Sequence, residues 1–248
     1  NLLEGKVDQS EISFDLKSVL SFQLEKYIKV RNLKVNGDGN IHFLNIKHKI
    51  DTSGLKKIFI NYNDSFQITD TKIKFLLDNN VQEVELEGLV NLVNEYENFK
   101  SKLIVDKKKN NTIFDTEIDI KSSIIQLQSL NYRKEINDPA NLRFKGNRKK
   151  NEGYNFEIVE FKESNNLILV KDIEFNKKFQ VNNLKELIVR TMHNNSVNND
   201  FKLKKNKKIK AQGEIYDVRP LLASLNNGDK KNTLSKKFNG EFQANIKE

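Results

Sequence analysis

Cysteine and tryptophan are missing from the 248 residues, methionine occurs once, proline twice and histidine three times. Without cysteine there is no disulfide framework, no thiolate zinc site and no thiol nucleophile, although the redox compartment stays open. Ten glycines and two prolines exclude a collagen-like repeat and low-complexity disorder. No stretch approaches the ~20 apolar residues that a membrane-spanning helix needs, and mean hydropathy is −0.67. What is present suits a packed chain: 16 Phe, 6 Tyr, and 43 Lys and Arg against 34 Asp and Glu, a net charge of +9. The length allows one large domain or two small ones. The chain opens at Asn1 with no initiator Met and no signal segment, and 240–248 stops within an alternating pattern. We therefore expect a segment of a longer polypeptide, with any anchor lying outside it.

Period-two alternation dominates. It runs through Ile12-Phe14-Leu16, Ile41-Phe43, Ile58-Ile60-Tyr62, Ile73-Phe75, Val84-Leu86, Leu103-Val105, Phe114 to Ile120 and Ile125-Leu127. It resumes at Phe156-Ile158, Ile168-Val170, Ile173-Phe175, Leu187-Val189, Phe201-Leu203, Ile209 to Ile215 and Phe242 to Ile246. Short Asn-, Asp-, Gly- and Lys-rich connectors separate these runs, as turns require. The pattern predicts a mainly β chain: a long antiparallel meander, wet on one face and apolar on the other, with one or two short helices. Val19, Leu20, Leu24, Tyr27 and Ile28 could share one side of a helix over 18–28. Asp217 as cap, Pro220 in the first turn, Leu221, Leu222 and Leu225 on one face and Gly228 beyond predict a helix at about 217–226. The segment 184–192 reads as helix or strand, its β-branched residues favouring the strand. The longest polar stretch divides the chain into a β segment 1–136, an insertion or seam at 137–153, and a second β segment 154–248.

Candidate chemistry is sparse. His42 and His48 face the same way on an unbroken strand but stand about 20 Å apart, too far to share a metal. Glu83, Glu85 and Glu87 share a strand face, which reads as a solvated face more readily than as a cation site. No phosphate loop and no nucleophile elbow is present. We expect no enzyme activity, no metal and no cofactor. Three basic runs, at 107–109, 148–150 and 202–210, raise nucleic acid or anionic lipid as partners. Only six of the 43 cations are arginine, however, and aromatic residues do not interleave with the runs, so nucleic acid is not expected.

The apolar face has to be buried. Either it is the core of a closed β-sandwich acting as a scaffold in envelope assembly or adhesion, or it is a curved sheet open to apolar ligands. The scarcity of helices and the long aliphatic and Phe side chains lean toward an open groove. Its candidate lining is Ile41, Phe43, Ile58, Ile60, Ile73, Phe75, Val84, Leu86, Leu103, Val105 and Phe114 in the first half. It continues with Ile118, Ile120, Ile125, Leu127, Phe156, Ile158, Ile168, Val170, Ile209, Ile215 and Phe242. On this reading, Asp at Phe43, Ile60 or Ile118 should expel a bound lipid.

The phrase Gly213-x-x-x-Asp217-x-Arg219-Pro220-Leu221-Leu222, preceded by Asn199-Asp200-Phe201, resembles a pattern in the YhdP-like and TamB-like branches of the AsmA-like envelope proteins. There a strand ends in this phrase, a short helix follows, and strands resume. The likeness covers residues 184–248 and favours a strand at 184–191. It implies a repeating β-groove in a periplasmic protein of Gram-negative bacteria, anchored in the inner membrane by a segment not in this chain. It further implies that phospholipid is carried toward the outer membrane and that membrane contact is made by other parts of the protein. The six motif residues are then structural: Asp217 a cap, Arg219 an exposed or paired cation, Pro220 the helix start.

Overall fold

The computed structural model describes residues 7–48, 53–62, 65–93, 95–149, 152–177, 180–205, 209–220 and 223. Among them, twelve strands form one antiparallel sheet that does not close on itself. In spatial order these are β1 (Val7–Glu25), β2 (Lys29–His48), β3 (Ser65–Leu77), β4 (Val81–Asn91), β5 (Tyr96–Asp106) and β6 (Asn111–Ile120). They continue as β9 (Ala140–Lys149), β10 (Gly153–Glu163), β11 (Asn166–Phe175), β12 (Val181–His193), β13 (Ser196–Lys205) and β14 (Ile209–Ile215). Between β6 and β9, the short strands β7 (Ile125–Leu127) and β8 (Tyr132–Lys134) pair separately. An α-helix, α1 (Ser53–Ile58), follows β2.

The mainly β, meandering, groove-like architecture expected from the alternation is the one found. Three local expectations are corrected. Residues 18–25 are strand, paired with β2 through Ser18↔Gly37 to Glu25↔Lys29, and only Lys26–Ile28 make a 3-10 turn. Ile58 closes α1 and Ile60 lies in the turn after it, so 58–62 is not a strand of the sheet. The polar stretch 137–153 contains β9, hydrogen-bonded to β6 on one side and β10 on the other, so the sheet runs through it unbroken. The segment 184–191 lies in β12. Of the helix expected at 217–226, residues 217–220 and 223 are described, and 219, 220 and 223 are helical. Leu221, Leu222, Phe242 and the strand expected around it lie outside the described residues.

Pairing fixes two chemically distinct faces, because residues opposite one another across an antiparallel ladder point to the same side. One face carries the register Phe75↔Val84↔Leu103↔Phe114↔Gly146↔Phe156↔Ile173. The other carries alternating charge: Lys72↔Glu87↔Lys100↔Glu117↔Arg143↔Glu160, and beside it Lys74↔Glu85↔Lys102↔Asp115↔Lys145. Opposite charges directly across from one another stabilise each rung, and a one-residue slip would turn every one of these side chains into the apolar face. Gly37, Gly39, Gly88, Gly146 and Gly213 all sit on the apolar side. A Cβ at any of them would lie 2.0–2.5 Å from an atom of the neighbouring strand. The strands thus crowd together on that side, as they do on the inside of a curve.

Candidate functional site

The apolar face divides lengthwise into two zones. At one end of the strands α1, the turn after it, β7 and β8 fold over the sheet. Phe59 bridges to Ile125, the Ile60 N–H donates to the Ile124 carbonyl at 3.1 Å, and Asn61 bonds the Ser122 carbonyl and the Ile124 N–H. Under this cover lie Ile41, Ile68, Val90, Phe99, Ile118, Ile120, Ala140 and Phe161, packed with Ile125 and Tyr132 into one hydrophobic cluster. The other end carries no cover among the described residues. There Phe75, Val84, Leu103, Val105, Phe114, Phe156, Ile173 and Phe175 are half-buried, screened only by one another. Phe114 and Phe156 meet edge-on at 5.3 Å over Gly146, and Phe156 meets Phe175 at 5.8 Å.

A polar network holds the cover. Lys134 is completely buried, its Nζ donating to the carbonyls of Lys121, Ser123 and Glu135 at 2.9 Å each. Burial pulls its pKa below the usual lysine value, while the charges of Glu163, Asp138 and Glu97 oppose that shift. Glu97 accepts from the backbone N–H groups of Lys121 and Ser122. The Tyr132 hydroxyl donates to Glu163, and burial together with that carboxylate pushes the phenol pKa up. The last tie comes from the motif that the sequence singled out. Asn199 Nδ2 donates to the Leu130 carbonyl at 2.7 Å and its Oδ1 accepts from the Asp217 N–H at 3.0 Å. Asn131 Nδ2 in turn donates to Asp217 Oδ2 at 2.9 Å. Arg219 donates to Asp217 through its Nε at 2.8 Å and its backbone N–H at 3.1 Å, and its guanidinium holds the carboxyl well below the usual range. Asp217 therefore caps the turn at 219, and it also clasps the cover to β13. Gly213 lies opposite Phe201 on the apolar side.

Of the expected lining, Ile73, Phe75, Val84, Leu86, Leu103, Val105, Phe114, Phe156, Ile168 and Val170 lie on the apolar face beside Ile41, Ile118 and Ile120, which are under the cover. Ile125 and Leu127 belong to the cover itself, and Ile58 and Ile60 stand at its rim. Phe43, Ile158 and Ile215 are corrected to the charged face. Phe43 is opposite Ser13 and Thr69, Ile158 opposite Lys145 and Lys171, and Ile215 opposite Asp200. In each case a β-bulge nearby has shifted the alternation by one residue. Ile209 opens β14 opposite Lys205. Glu83, Glu85 and Glu87 are held by lysines: Glu83 and Glu85 by Lys102, Glu87 by Lys100 at 2.9 Å. His42 Nε2 lies 2.8 Å from Asp15 Oδ2 on the solvated face. Sequence reading missed the cover. The alternation of Ile58-Ile60-Tyr62 and Ile125-Leu127 reads as more of the same sheet, β8 has only three residues, and Lys134 reads as one more surface lysine.

Comparison of the chain with protein-family models, curated proteins and solved structures gave no match.

Proposed function

We propose that this chain is a non-enzymatic β-groove segment that holds phospholipid acyl chains against its uncovered apolar floor. We propose further that it does so in the periplasm as part of an AsmA-like protein carrying lipid between inner and outer membranes. One observation carries the reading: among the described residues, a sheet of twelve strands leaves its apolar face bare at one end and covers it at the other. Eleven inter-strand steps of about 4.8 Å give a floor roughly 50 Å long across the strands, longer than an acyl chain. Each methylene covered is worth about 0.8 kcal/mol, so a chain lying on this floor is retained, and equivalent rungs let it slide without entering water. Headgroups stay at the wet margin, which asks for no specific pocket.

The test is mass spectrometry of organic extracts from protein purified out of Gram-negative cells. Phospholipid should be present, and Leu103→Asp should deplete it because an ionised carboxylate beneath an acyl chain costs several kcal/mol, order of magnitude. Ile158→Asp, on the charged face, should leave it unchanged. Folded protein that yields no lipid would redirect the reading to the closed scaffold.

A further inference from the structure

The tight turns of the meander differ in charge between the two ends of the strands. Every turn at the uncovered end that carries lysine among the described residues does so beside the bare floor: Lys107, Lys108 and Lys109 between β5 and β6, Lys149 at the end of β9, Lys177 after β11, Lys205 at the end of β13. Lys109 pairs with Asp106 and Lys149 with Glu152, whereas Lys107, Lys108 and Lys205 are exposed with no ion pair among the described residues. The tight turns at the covered end, Ser164-Asn165 and Asn194-Asn195, carry no cation, and the cations there (Lys56, Lys57, Lys121, Arg133 and Lys134) belong to the longer connections that build the cover.

At this same basic end the β1–β2 hairpin overshoots the sheet. β3 pairs with β2 only from Lys47 to Val35, so among the described residues 29–34 and their β1 partners have no third strand. The overhang of about seven residues projects roughly 20 Å. It is amphipathic. Leu20↔Val35 and Leu24↔Val30 continue the apolar floor, while Ser21↔Lys34, Gln23↔Arg31 and Glu25↔Lys29 form a polar, cationic back. At the tip Tyr27 is 99% and Ile28 84% exposed. A two-stranded ribbon cannot bury such a face by itself.

We propose that this hairpin is a membrane-docking tongue: its tip and apolar side enter an anionic bilayer while the lysine-bearing turns rest on the headgroups. A bilayer covers face and tip together, whereas a strand added at the β1 edge would leave Tyr27 and Ile28 bare. Charge complementarity supplies the rest, since each lysine near an anionic surface is worth roughly fivefold in affinity and salt screens it. The docking itself stands on the hairpin and the lysines. Its consequence, that acyl chains pass from the bilayer along the tongue onto the floor, rests on the groove reading above.

The chain has no tryptophan, so Tyr27→Trp is a clean reporter. With vesicles of phosphatidylglycerol and phosphatidylethanolamine in equal parts, its emission should shift to the blue and the protein should co-sediment. Vesicles of phosphatidylcholine should bind at least tenfold more weakly. The double variant Tyr27→Asp, Ile28→Asp should lose tenfold or more, as should Lys107→Glu, Lys108→Glu, Lys205→Glu with loss of salt dependence, both keeping the wild-type circular dichroism. Leu103→Asp should bind vesicles as wild type does, so an empty groove and a failed dock are told apart. Unchanged emission with the anionic vesicles at low salt overturns the proposal. So does a blue shift without vesicles accompanied by dimer formation, which would make a second copy the occupant.

Discussion

Among the described residues Lys134 is the largest side chain fully withdrawn from solvent, and its ammonium donates to three carbonyls that close the cover, one of which, that of Lys121, also accepts from the Asn137 N–H at 3.0 Å. Methionine would keep the volume and take this buried donor away from all three carbonyls. Lys134→Met should therefore lower stability by about 3 kcal/mol in urea unfolding, the range for breaking a buried charge–dipole arrangement from one side. The tip of the tongue shows the opposite economy. Tyr27 and Ile28 occupy left-handed backbone angles, φ 66° and 60°, that disfavour a β-branched side chain. Apolar residues in that conformation, exposed to water, are poor choices for stability alone.

The charged face owes its order to whole strands. Glu186 of β12 receives Lys202 at 2.6 Å, Lys171 at 3.2 Å and Lys204 at 3.6 Å, joining β11, β12 and β13. Hydrogen bonds from Lys202 first and then Lys171 hold its pKa down at about 2 against an ordinary 4.5. A depressed carboxyl adds stability above its unfolded value and loses it as pH falls through the folded one. Amide protection in β12 and β13, taken relative to the intrinsic exchange rate at each pH, should fall between pH 4.5 and 2, and Glu186→Gln should flatten that dependence; an unaltered profile in the variant would rule the carboxylate out. The alternation that exposes such ladders is visible in the sequence, since Glu83, Glu85 and Glu87 advertise a wet face as Val84 and Leu86 advertise a dry one. The bulges are not visible. Asn32, Asp70 and Asp172 take positive φ within strands, and their residue types also suit ordinary turns. Phe43, Ile158 and Ile215 changed sides for want of that information. Residues 18–28 misled for another reason: apolar spacing of four satisfies strand and helix alike, and the pairing partner, not the local pattern, decided.

Across the molecule, packing is graded from the covered end to the tongue. Local opening follows the number of buried contacts and exposed hydrogen bonds. Hydrogen exchange should thus be slowest at 118–125 and 132–134 and fastest at 20–35, with long-chain phospholipid slowing the bare stretches of β5, β6 and β10. Uniform protection along the strands would contradict the division of the floor. That division was not legible beforehand, because the cover is built from residues 53–62 and 121–139, where the alternation of Ile58-Ile60-Tyr62 and Ile125-Leu127 looks the same as that of the sheet strands.

Away from the cover each strand of the large sheet leans on the strand to either side, and among the described residues both outermost strands present a free ladder. Stability in such an array is close to a sum over neighbouring units, as in solenoid proteins. Duplicating one hairpin would extend the trough by about 10 Å without a new core, so that its reach becomes a matter of copy number, adjustable in whole units as a ladder is by its rungs.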